Sequence, residues 1–101
     1  GEQIFKIKND SSDTVRYTLN WKNVINTFTE TNNLDYTLTR NGQKVGISRA
    51  PYIESPLIEN ELINPHSENT YVIKYEFKET YQDQNLDQGK IFSTNLEIVV
   101  K

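Results

Sequence analysis

The side chains best suited to chemistry in this chain of 101 residues gather in an acidic stretch near its end. Asp83, Asn85 and Asp87, with Glu79, Gln82 and Gln88 nearby, supply oxygen donors of the kind a calcium ion takes. Their spacing is not that of an EF-hand, and the plainer reading of so polar a run is a solvated loop. The single histidine, His66, follows Pro65 in the turn-like segment Asn64-Pro65-His66-Ser67. It has no second imidazole with which to hold a metal and no obvious nucleophile near it in sequence, so a solvated turn residue is expected. A third chemistry is an amide crosslink between Lys6 or Lys8 near the start and Asn95 near the end. It needs a buried carboxylic acid to shuttle protons, and Glu76 is the only strand-centred candidate, yet alternation turns both Asn95 and Glu76 away from the apolar face. Trp21, Tyr17 and Tyr36 are a conceivable platform for a sugar ring, although aromatic residues at strand spacing more often build a core.

Other chemistries lack their residues. There is no G-x-S-x-G, no P-loop and no H-E-x-x-H, and four glycines leave little material for a phosphate cradle. Cysteine is absent, which removes disulfides, thiolate metal sites and cysteine nucleophiles. A net charge of -3 and a pI near 5.1 argue against nucleic acid or an anionic membrane as the main partner, since both require a basic footprint. No run approaches the roughly 20 apolar residues of a membrane-spanning helix. The length predicts a single domain over 1–101, and the absence of methionine, even at position 1, a chain cut from a longer precursor.

The elements that must position these residues read as strands. With 35% hydrophobic, 11% aromatic and 25% charged residues, the composition is that of a globular domain large enough for one core. Tyr71 to Lys78 alternates strictly: Tyr71, Ile73, Tyr75 and Phe77 take one side, and Val72, Lys74, Glu76 and Lys78 the other. That pattern predicts a central antiparallel strand with one face on a core and one in water. Ile4 to Lys8 predicts a first strand with Phe5 and Ile7 inward, and Thr14 to Trp21 a second with Val15, Tyr17, Leu19 and Trp21 inward. Lys22 to Asn33 is irregular and reads as a helical turn or a loop that tucks Phe28 beneath the sheet. Leu34 to Arg40 is a strand, and Asn41-Gly42, both tolerant of positive φ, predicts a tight hairpin into Gln43 to Ile47. Pro51 and Pro56 exclude a central strand from Ser48 to Asn60, which reads as an edge connection laying Tyr52, Ile53, Leu57 and Ile58 partly over the core. Leu62-Ile63 is a short strand. A polar loop over Glu79 to Lys90 leads to the last strand, Ile91 to Val100, with Phe92, Leu96, Ile98 and Val100 on one face. About seven short strands without a convincing helix predict an all-β, two-sheet antiparallel sandwich, immunoglobulin-like or jelly-roll-like, with a small closed barrel as the alternative.

The opening IFKIKNDSSDTVRYTLNW, a strand, an Asn- and Asp-rich turn and a second strand, is similar to the start of the sandwich in the TasA/camelysin group of exported matrix and cell-surface proteins of Gram-positive bacteria. The element Asp83-Gln84-Asn85-Leu86-Asp87-Gln88-Gly89-Lys90 before the last strand resembles the corresponding element of that group. The resemblance implies a secreted or cell-surface structural or adhesive module, a matrix or fibre subunit, whose partner is protein and whose edge strands self-associate. This chain is much shorter than the group's members and lacks a long extension ahead of its first strand, leaving GEQIFKIK as the one segment able to serve as a donated strand. The expectation is therefore a non-enzymatic module without a cofactor and without membrane contact of its own. The alternative is a recognition module for carbohydrate or calcium.

Overall fold

The computed structural model describes residues 1–28, 34–77 and 91–101. Over these residues the chain is all-β, with β1 (Glu2–Asn9), β2 (Val15–Asn26), β3 (Leu34–Arg40), β4 (Gln43–Arg49), β5 (Ser55–Ile63), β6 (Ser67–Phe77) and β7 (Phe92–Val100). They form two antiparallel sheets packed against each other, a four-stranded one ordered β1-β6-β3-β4 and a three-stranded one ordered β5-β2-β7. The first and last strands thus lie in different sheets.

Period-two alternation accounts for the core. β2 sends in Tyr17, Leu19 and Trp21, β6 sends in Tyr71 and Ile73, and β3 and β5 add Leu38 and Ile63. Burial of each such side chain contributes about 1.5–3 kcal/mol before chain entropy is counted. The rings interlock: Phe5 stacks on Tyr71 at 5.2 Å, and Trp21 meets Tyr36 edge-on at 5.3 Å. β6 occupies the interior of its sheet, as its sharp alternation predicts. Phe28, Leu34 and Ala50 form a second buried cluster toward one end.

Three polar devices hold the turns. Asn41 (φ 51) and Gly42 (φ 84) make the hairpin turn, and Asn41 also clamps it to β6, its Oδ1 accepting from the Thr70 N–H at 2.8 Å. Asn9 is buried at the same end of the sheet, beside the start of β6. Its amide donates to the carbonyls of Asp13 (2.7 Å), Asn64 (3.1 Å) and Ile63 (3.2 Å), and its Oδ1 accepts from Ser11, tying the β1–β2 turn to the β5–β6 turn. Between the sheets the buried hydroxyls of Tyr17 and Tyr71 pair, and Asn69 donates to Tyr17 Oη at 2.9 Å. Burial, reinforced by the Tyr17 hydrogen bond, pushes the Tyr71 phenol well above its ordinary pKa.

Two segments differ from the expectation. Lys22 to Asn26 continues β2 instead of turning away, because a bulge at Asn23 (φ 51) absorbs the break in alternation. Ser55 to Ile63 is one strand rather than a connection, and Pro56 is tolerated because β5 is an edge. Phe28 is tucked into the core, as expected.

Candidate functional site

The open side of the sandwich is where β1 and β7 face each other. The carboxyl ends of both strands lie at the same end of the molecule. Asn9 reaches Ile63 and Asn64 there, Val15 pairs with Ile63, and Val100 pairs with Tyr17. β1 and β7 therefore run in the same direction, one at the edge of each sheet. Among the described residues β1 pairs only with β6 and β7 only with β2, so there each has a row of backbone groups without a strand partner on its outer side.

Two openings run along this flank. One, of about 360 Å³, lies among Gln3, Phe28, Leu34, Tyr75, Phe92 and Thr94. The other, of about 470 Å³, is lined by Phe5, Ile7, Leu19, Leu96 and Ile98 and shares Gln3 and Thr94 with the first. Phe5 and Ile7 of β1 thus share this opening with Leu96 and Ile98 of β7. Alternation aims Ile98 and Val100 at the inside, yet they are 44% and 61% exposed, because β7 is an edge strand with no further strand beside it among the described residues. Thr94 Oγ1 is held by donating to the Lys22 carbonyl at 3.0 Å, where β2 bulges. At the end lined by Tyr75, burial pushes that phenol up to about 12, with Tyr36 adding to the shift. The outward faces of the two strands are charged and solvated, with Lys6 near Glu68 (3.5 Å) and Lys8 near Asp10 (3.7 Å) on β1 and Glu97 of β7 near Lys22 (4.0 Å).

The residues singled out for chemistry are placed elsewhere. Asp83, Asn85 and Asp87 lie outside the described residues, as does the whole Asp83–Lys90 element. Among the described residues no three acidic or histidine side chains gather as metal ligands. His66 is exposed in its turn at φ 51. Its backbone N–H reaches the Ser11 carbonyl at 3.3 Å, while the Ser11 hydroxyl is engaged with Asn9 Oδ1 at 2.7 Å, so no base and nucleophile are paired there. Lys6, Lys8, Asn95 and Glu76 are all exposed, on outward faces of two different sheets, and are not brought together. Tyr17 and Trp21, 0% and 1% exposed, present no ring face to a ligand. The groove itself was hidden from sequence reasoning because it depends on β1 and β7 belonging to different sheets. Its one visible trace is the apolar run Ile98-Val99-Val100, more than one face of an ordinary strand requires.

No family model matches the chain. Neither a curated protein nor a solved structure is similar to it.

Proposed function

We propose that this chain is a non-catalytic structural or adhesive module of the cell surface or its matrix, which works by pairing its β1/β7 flank with an extended segment of another protein chain. The observation that carries this reading is the apolar groove between two unpaired edges that run in the same direction. A strand laid antiparallel along either edge would continue that sheet and gain backbone hydrogen bonds, while its alternate side chains help cover Phe5, Ile7, Leu96 and Ile98. The resemblance of the opening strands and of the Asp83–Lys90 element to exported matrix proteins points the same way, as does a surface without a concentrated basic patch. Self-association is the economical form, since the chain itself is rich in strands of suitable pattern.

Sedimentation over a rising concentration series tests this. The expected result is a mass that grows with concentration, is held at the monomer value by Ile98→Lys in the groove, and is unaffected by Ile47→Lys on the exposed β4 edge. A monomer at every concentration, or equal sensitivity to both substitutions, counts against it.

A further inference from the structure

Resting on that reading, we infer that the partner of this flank is a second copy of this chain in a closed two-fold dimer, with β1 paired to β1 and β7 paired to β7. Because β1 and β7 point the same way, one two-fold axis perpendicular to both reverses both at once. Each edge then meets its own copy antiparallel, and both sheets continue across the interface.

Charge selects the register. The outward face of β1 reads Glu2, Ile4, Lys6, Lys8. Parallel stacking of two copies in register sets lysine against lysine, which is destabilising. Antiparallel pairing centred on Phe5 sets Glu2 of one copy opposite Lys8 of the other, twice, and Ile4 opposite Lys6, with no like charges opposed. Moving the centre to Lys6 opposes the two Lys6 side chains. Moving it to Ile4 shortens the overlap.

The same axis must also suit β7. Phe5 and Leu96 line the same opening, and a β7 pairing centred on Leu96 shares that axis. That sets Glu97 opposite Asn95, Ile98 opposite Thr94 and Val100 opposite Phe92, again without like charges. The two strands accept one axis independently. Beneath it, Phe5 meets Phe5 and Leu96 meets Leu96, and the exposed flank of Ile98 and Val100 is covered.

The test uses the intact chain, which has no native cysteine to interfere. Ile4→Cys and Lys6→Cys are placed in separate preparations, both at exposed outward positions. Directly opposed residues in antiparallel strands have Cα atoms about 4.5–5.5 Å apart, within disulfide range. Mixing the two preparations under mild oxidation is expected to give a crosslinked heterodimer, whereas neither preparation crosslinks alone. In parallel, Glu2→Lys and Lys8→Glu are each expected to weaken dimerisation about tenfold, and the double exchange to return it to within about threefold of the parent, because the pair is self-complementary with either polarity. Thermal melts of dilute protein confirm that each variant folds. A monomer at all concentrations overturns this inference together with the strand-pairing reading. A ladder of growing polymers, crosslinking within one preparation, or no rescue by the double exchange overturns the two-fold dimer while leaving strand pairing in place.

Discussion

The two flanks of the sandwich are made of similar alternating strands and end in opposite ways. Where β3 faces β5, Arg40 Nη1 donates to Glu61 across the sheets, and the Tyr17–Tyr71 pair lies beside them as the cross-strand neighbours of Glu61 and Arg40. Beyond it, β4 is an edge of a defended kind. All its residues but Gly46 are exposed, Lys44 and Arg49 carry charge, and a bulge breaks its pairing with β3. Where β1 faces β7, no ion pair joins the sheets among the described residues, and aliphatic side chains meant for a core stand in water. One flank is closed by polar contacts within the chain. The other is left for contacts that the described residues do not make, which teaches that inward alternation buries a side chain only if its strand is flanked on both sides.

Truncations of similar size should separate the flanks most clearly. Leu19→Ala, at a side chain 2% exposed, is expected to cost about 2–5 kcal/mol by urea unfolding. Ile98→Ala in dilute protein should cost about 1 kcal/mol or less, since much of its area is already in water. Equal losses would erase the distinction between the flanks. Asn9→Ala should come next, at about 2–4 kcal/mol, because it strands one buried and two part-buried carbonyls that its amide now satisfies. The Arg40–Glu61 pair is partly exposed, so Arg40→Met is expected to cost about 1–3 kcal/mol, with Arg40→Met/Glu61→Leu recovering most of it. A double variant as unstable as the single would show that the closed flank rests on more than this pair.

The smallest effect is on pH dependence. Tyr71 and Tyr75 hold their protons above the ordinary phenol value of 10.0, Tyr75 up to about 12. In that range the unfolded chain binds fewer protons than the folded one, so stability is fully present below about pH 10 and falls as pH rises toward 12. Urea midpoints at about pH 9 and about pH 11 check this, and Tyr75→Phe should flatten part of the slope. A midpoint that rises with alkalinity would contradict the burial of these hydroxyls.

Much of the fold was legible because its signals are local. The alternation in Tyr71–Phe77, the Asn41-Gly42 turn and the prolines at 51 and 56 each act over a few residues and needed no partner to be read. Tyr17, Leu19 and Trp21 of β2 and Tyr71 and Ile73 of β6 therefore appeared in the sequence as they stand in the core. The extent of β2 did not, because a bulge at Asn23 resets the period without leaving a residue type that marks it. The groove was illegible for a further reason. Phe5, Ile7, Leu96 and Ile98 were correctly read as inward, but whether inward means buried depends on which sheet each terminal strand joins, a choice made by long-range pairing. The chemistry-bearing residues were visible and stay dispersed: His66 in a turn, Lys6 and Asn95 on separate sheets.

Amide hydrogen exchange, read residue by residue at low and at high protein concentration, tests the open flank most directly. The outward N–H groups of β1 and β7 are expected to exchange quickly when the protein is dilute and to slow markedly as it is concentrated, while those of β4 stay unchanged. Slowing confined to β4, or no slowing anywhere, would contradict the assignment of the β1/β7 flank as the surface through which this chain works.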